Sequence, residues 1–352
     1  MSLLAIAIIL LAAGFYVGWN IGANDAANCI GTMVGAQIIS FRKAALLMGV
    51  FVILGGVLQG HQVMKTVGKG ILITSAESYQ ETKDDEPPAE LASHFPEKRL
   101  PDLAVFVALL SAGIFVTIAT FTKVPVSTSQ AIVGGVAGVG IGIVGFDGAY
   151  FKLTVLTKIL GCWVLSPVLS LALAFGFYLL LGRISHRMNP LAWNRALSVL
   201  VIIAACYVSF SLGANDVGNA IGPLLNKFPD HGIALALLGG VAMAVGAFTF
   251  GRRVTDTVGK SITPLDLGGA FAAQASAAFG VHLFSMLGIP VSTSQAVVGA
   301  VIGVGLTKGR AVVSGRKIGQ IVSGWILAPA GAAIFSCLTY RLILLIINSV
   351  NP

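Results

Sequence analysis

The chain is written twice. Pro-Val-Ser-Thr-Ser-Gln-Ala occupies 125–131 and returns, letter for letter, at 290–296, an offset of 165 residues (290 − 125). Gly-Ala-Asn-Asp at 22–25, followed by Asn28, returns at 213–216, followed by Asn219, and Thr-Val-Gly-Lys at 66–69 returns at 257–260; both share an offset of 191 (213 − 22). Trp-Val-Leu-Ser-Pro at 163–167 meets Trp-Ile-Leu-Ala-Pro at 325–329. The offset falls by 26 (191 − 165) across an acidic segment at 75–101, which the second copy lacks. Such self-similarity restricts the fold to two versions of one unit. We place them at 1–182 and 195–352, joined by a polar linker at 183–194.

Composition says where such a unit lives. Of 352 residues, 56% are hydrophobic and 10% charged, a balance that would leave a water-soluble domain with large exposed apolar patches. Apolar runs cover 3–19, 44–58, 103–121, 132–146, 153–181, 196–212, 232–250, 270–289, 297–306 and 318–350. Several reach the roughly 20 residues a helix needs to cross a bilayer, and the shorter ones point to broken helices or hairpins. The reading is an all-α polytopic membrane protein whose partner is the lipid bilayer. The first run lacks a basic flank and continues into a motif that recurs mid-chain, so it is expected to be a membrane helix and not a leader.

Charge and cysteine usage remove other classes. Seven of the fourteen acids lie at 75–101, which with Pro87 and Pro88 reads as a solvated loop. The net charge of +8 is dispersed over short loops without interleaved aromatics, so nucleic acid is not a partner. Cys29, Cys162, Cys206 and Cys337 sit singly in apolar runs, without the spacing of a transition-metal site or a disulfide framework.

Asn24-Asp25 and Asn215-Asp216 each end an apolar run. A carboxylate at membrane depth costs about 2.5–3.5 kcal/mol on insertion scales, so such a residue ordinarily faces a polar cavity and binds something. With Asn28 and Asn219 one turn on, and with Gly22 and Ala23 allowing the helix to open its carbonyls, each group offers the hard oxygens that suit a small cation. In the other motif the proline blocks helix on its N-terminal side. Ser127 with Gln130, and Ser292 with Gln295, then make capping boxes. Capping leaves Thr128, Ser129, Thr293 and Ser294 unexplained. Hydroxyls at a helix N-terminus extend a ready anion site, and two such termini related by a two-fold axis could converge on one anion. Cations between the aspartates would turn their repulsion of that anion into attraction, which couples the two fluxes.

At these residues the chain resembles the inorganic phosphate transporter (PiT) family, nearly end to end. The resemblance implies two inverted-topology repeats with about 10–12 membrane segments, a homodimer in the plasma (inner) membrane, and phosphate import coupled to sodium or protons without an organic cofactor. It places phosphate at Ser127, Thr128, Ser129, Gln130, Ser292, Thr293, Ser294 and Gln295, and sodium at Asn24, Asp25, Asn28, Asn215, Asp216 and Asn219. The family signature often ends in Ser-Thr-Thr-His where this chain has Ser-Thr-Ser-Gln, and Lys65 stands where the second copy keeps Asp256. Glutamine cannot shuttle a proton near neutral pH, which favours sodium.

Proton coupling and sulfate as substrate are the neighbouring alternatives. Phosphate differs from sulfate in carrying a proton that needs an acceptor. A passive anion channel is disfavoured by paired aspartates. An enzyme using Ser127 or Ser292 as nucleophile lacks a base, since the five histidines show no paired placement in the repeats.

Overall fold

The computed structural model describes residues 2–83, 86–122, 126–252, 265–309 and 315–350. Among these the chain is helical apart from turns and one isolated antiparallel bridge, Leu72 with Phe151. The first half holds α1 (Leu3–Gly35), α2 (Phe41–Gln59), α3 (His61–Lys69), the short α4 (Ala76–Gln80) and α5 (Leu91–His94), α6 (Asp102–Thr122), α7 (Thr128–Val144) and α8 (Leu153–Ser185). The second holds α9 (Pro190–Ile221), α10 (Gly232–Thr249), α11 (Leu267–Met286), α12 (Thr293–Thr307) and α13 (Gly315–Val350). Eight of them are long and apolar enough to cross a membrane; α7 and α12, of 17 and 15 residues, are the shorter apolar helices. At 1.5 Å per residue α7 spans about 25 Å, short of a bilayer core of about 30 Å. The protein is a multi-pass membrane protein, and large side chains such as Val164, Leu165 and Ile326 turn outward where lipid replaces water.

The local sequence sets the breaks. Asn189 caps α9 by accepting from the Leu191 N–H at 2.9 Å, and Pro190 fits the first turn, where no donor is needed. The polar stretch at 183–194 is therefore mostly helix end, with four residues between α8 and α9. Pro167 and Pro329 lie inside α8 and α13, each removing one helical hydrogen bond. Their carbonyls are approached at matching places by glycine: a side chain on Gly134 would collide with the Pro329 carbonyl, and one on Gly299 with that of Pro167. Thus α7 of the first repeat lies against α13 of the second, and α12 against α8. The same exchange joins α1 to α10 and α9 to α2, where Gly22 abuts the Met243 carbonyl and Gly213 that of Val52.

The acidic segment differs from the expected solvated loop. Tyr79, Leu91, Phe95 and Leu100 are buried, Phe95 at 1% exposure. Lys83 donates to the Ala149 carbonyl at 3.1 Å, and Arg99 to the Asn226 carbonyl at 2.8 Å. Apolar anchors between the charges let the segment fold onto the short turns Gly148–Tyr150 and Gly222–Asn226, one in each half. Lys227 then pairs with Asp102 at 2.7 Å. Composition averaged over 27 residues conceals four buried anchors.

Candidate functional site

The two aspartates arrive on continuous helices. Gly22 and Ala23 do not open α1, nor do Gly213 and Ala214 open α9; both helices run through their motifs. Glycine serves close approach here, letting a neighbouring backbone press against the turn before the carboxylate. The backbone carbonyls at 22–23 and 213–214 thus stay within the helices, and the oxygens on offer come from side chains.

Asp25 and Asp216 are 1% and 0% exposed. Burying a charge is costly unless donors surround it, and here the donors are the hydroxyls and amides named by the two motifs. Asp25 accepts from Asn28 at 2.7 Å, from Ser294 at 3.0 Å and, more weakly, from Thr128 at 3.4 Å. Asp216 accepts from Asn219 at 2.8 Å and Thr293 at 2.9 Å, with Ser129 at 3.0 Å. The arrangement is reciprocal: each carboxylate takes an asparagine and a threonine from its own repeat and a serine from the other. The amides of Asn28 and Asn219 also donate to these serines, both at 2.9 Å.

The caps form as the spacing requires. Ser127 accepts from the Gln130 N–H at 3.3 Å and Ser292 from that of Gln295 at 3.2 Å, starting α7 and α12 beside the aspartates. Asn215 clamps the backbone of Val291 in both directions, donating at 2.6 Å and accepting at 3.1 Å, and Ser129 reaches the same carbonyl at 2.7 Å. The two heptapeptides therefore touch. The hydroxyls assigned to an anion are, in this arrangement, held by the carboxylates assigned to the cation, a consequence of bringing both motifs to one depth.

The halves are not equally enclosed. Asn215, Asn219 and Ser129 are fully buried, whereas Asn24, Asn28 and Ser294 are half-buried. Access to the pair is therefore greater on the Asp25 side. Lys65 is exposed, and its counterpart Asp256, with the second Thr-Val-Gly-Lys, lies outside the described residues.

Other polar residues, none of them assigned to the site from the sequence, also make hydrogen bonds among these helices. Trp163 donates to the Pro290 carbonyl at 3.0 Å, fixing the start of the second heptapeptide from α8. Gln274 donates to the Cys29 carbonyl, one turn past Asp25, at 2.9 Å, and the equivalent first-half position is Leu109. Tyr207, His282 and Gln59 form one chain of hydrogen bonds, and Tyr16, Thr117 and Asn20 form another. Isolated polar letters in apolar runs, compared between repeats, would have marked them.

The model of the phosphate transporter family matches residues 21–197 and 188–336. A protein of Pyrococcus horikoshii whose name assigns it to the phosphate permeases is 30% identical, over 96% of this chain and 98% of its own. The inorganic phosphate transporter 2-1, chloroplastic, of Arabidopsis thaliana is 28% identical over 91% of this chain and 69% of its own. A solved structure titled the sodium-dependent phosphate transporter superposes with a TM-score of 0.81 at 30% identity, covering 97% of this chain and all of that one. On a match running through both halves, the chain belongs to the phosphate transporter family.

Proposed function

We propose that the chain is a secondary active transporter that imports inorganic phosphate with sodium, holding cations at Asn24, Asp25, Asn28, Asn215, Asp216 and Asn219. In this reading the anion is held at the N-termini of α7 and α12 by the two Ser-Thr-Ser-Gln sequences. The observation that carries it is the engagement of Thr128, Thr293 and Ser294 by the buried aspartates, with Ser129 beside Asp216.

A hydroxyl has one proton. While it points at a carboxylate, it cannot be given to an anion. Sodium at the aspartate neutralises the carboxylate and takes the hydroxyl oxygen as a ligand, which turns the proton outward. Cation binding thereby creates the donors that the anion needs and removes the charge that repels it. Because each carboxylate uses a serine from the other repeat, both halves report on both cations. The half-buried Asn24 and Asn28 support entry from the Asp25 side. Reciprocal packing of α7 on α13 and α12 on α8 supports a two-fold relation. We take its axis to lie in the membrane plane, making the repeats at 1–182 and 195–352 inverted, in a homodimer of the plasma (inner) membrane.

A proton on either aspartate could replace sodium in the same scheme, so the coupling ion is the point to test. Radiolabelled phosphate uptake into proteoliposomes, with sodium and pH gradients imposed separately, should follow the sodium gradient. Uptake driven by the pH gradient alone would make the coupling ion a proton, and uptake needing neither would make the protein a channel.

A further inference from the structure

Gln130 and Gln295 are 2% and 1% exposed, in the first turns of α7 and α12, and the backbone N–H of each is bound by its capping serine. Their side-chain oxygens are another matter. Oε1 of Gln130 and Oε1 of Gln295 are both sealed from solvent, and neither has a hydrogen-bond partner among the described residues. An amide oxygen only accepts, and leaving a buried acceptor without a donor costs about 1–3 kcal/mol. The cost is incurred twice, at equivalent positions, directly after the hydroxyls that face the aspartates.

A ligand that brings its own donor would satisfy them. Among tetrahedral oxyanions at neutral pH, phosphate always carries at least one O–H and sulfate carries none. The obvious alternative acceptors, Asp25 and Asp216, already take side-chain donors from both repeats. We propose that Gln130 Oε1 and Gln295 Oε1 accept the O–H of bound phosphate and are the residues that select a protonated oxyanion over sulfate. The inference rests on the phosphate-transport reading and deepens it. The hydroxyls and the helix N-termini donate to any tetrahedral anion, whereas the two glutamine oxygens reward a proton and repel an unprotonated oxygen. Discrimination then comes from an unpaired or opposed polar group against the wrong ligand, the stronger way of building specificity in a buried site.

The test separates protonation from size. Phosphate uptake into proteoliposomes under an inward sodium gradient is measured with arsenate and sulfate as competitors. Arsenate is larger than sulfate but protonated like phosphate. The wild type should be inhibited by arsenate and resist sulfate. Gln130→Met, Gln295→Met and the double variant keep the side-chain length without the acceptor. They should lose about 5- to 150-fold in the ratio of phosphate to sulfate affinity per substitution, the range expected for one buried hydrogen bond. Binding of each anion to purified protein, read as a melting-temperature rise, gives the same ratio if a variant does not transport. A ratio unchanged in the double variant overturns the proposal. So does a shift confined to sodium half-saturation, which would make the glutamine oxygens cation ligands. A wild type that takes up no phosphate would instead overturn the transport reading, and the inference with it.

Discussion

Ser294, in the second repeat, donates to the carboxylate of Asp25, in the first, at 3.0 Å. Ser129 lies at the same 3.0 Å from Asp216, with the Val291 carbonyl as a second acceptor for its one proton at 2.7 Å. Neither repeat can complete a carboxylate site alone. A duplicated chain whose halves merely stacked would have left each motif facing its own partner; here α7 meets α9 and α12 meets α1, which sets each serine at the opposite aspartate.

Replacing either carboxylate by its amide tests the cation sites most directly. Asp25→Asn and Asp216→Asn preserve shape and remove a buried charge, so both should leave folded protein in the membrane. Sodium-stimulated uptake should be lost in each. Wild-type sodium dependence in both variants would rule the carboxylates out as coupling sites.

The serines carry a cost in stability as well as in binding. A capping role alone predicts that Ser294→Ala is silent in the melting curve. Because its hydroxyl donates to a buried carboxylate, we expect a loss of about 1.5–3 kcal/mol, the range for hydrogen bonds to charged groups. Thr128→Val should cost less, since its contact with Asp25 is longer, at 3.4 Å. Thermal melts in detergent, with and without phosphate, read both effects. Equal and negligible shifts would mean that the hydroxyls do not serve the carboxylates.

Close helix packing is testable by adding one methyl group. In Gly299→Ala the new Cβ would collide with the Pro167 carbonyl, a backbone atom that cannot rotate away, whereas Gly161→Ala in α8 meets nothing within 4 Å. The first should cost about 1–3 kcal/mol or more through overpacking. The second should be neutral or slightly favourable by helix propensity. Similar melting temperatures for the two variants would remove the contact as a determinant of the fold.

Much of this site was legible in the sequence, for a physical reason. Polar letters in an apolar chain are expensive, so Asp25, Asp216 and the two heptapeptides had to lie inside, near one another. Capping could be read as well, because Ser127 with Gln130 and Ser292 with Gln295 is local chemistry. What could not be read was the long-range partner of each hydroxyl, which depends on how the repeats cross, and the continuity of α1 and α9 through their motifs. Glycine before Asp25 permits either an opened helix or a close neighbour, and the choice is made by Met243 on another helix.

Outside the membrane, Asp266 and Lys308 form a pair at 2.7 Å joining the start of α11 to the end of α12. Burial alone would raise the Asp266 carboxyl, but the hydrogen bond and charge of Lys308, with a further hydrogen bond from Tyr178, outweigh it and hold the carboxyl below its usual range. Burial likewise opposes charge on Lys308, and the bond and charge of Asp266 carry it above its usual range. A lowered acid contributes stability above its unfolded value and loses it as pH falls through the folded one; a raised amine contributes below its unfolded value and loses it as pH climbs. The contribution should therefore be full between about pH 5 and 9 and vanish in stronger acid. Since Asp266 is half exposed, the effect is small. Melting curves of wild type and Asp266→Asn should differ by a constant amount across that window and converge in acid, once pH falls below the lowered Asp266 value. A difference that grows in acid would reverse the assignment.

The acidic segment supplies the last prediction. A solvated loop tolerates removal, and the composition of 75–101 suggests one. Its buried anchors argue the opposite. Phe95 is 1% exposed, and truncating a buried phenylalanine costs about 3–5 kcal/mol. Arg99 and the pairing of Asp102 with Lys227 tie the segment and the start of α6 to the turn after α9 in the other half. Phe95→Ala should therefore lower the melting temperature of the whole protein, and deletion of 79–97 should lower it further, through loss of Tyr79, Leu91 and Phe95 together. Lys227→Ala separates the roles, because it removes one ion pair between the halves while leaving the anchors packed and the Arg99 bond in place. It should cost less stability than Phe95→Ala, since a partly exposed ion pair contributes less than a buried phenylalanine. If deletion of 79–97 leaves both melting and uptake unchanged, the segment is a passenger on the surface and the contacts of Phe95 carry no weight.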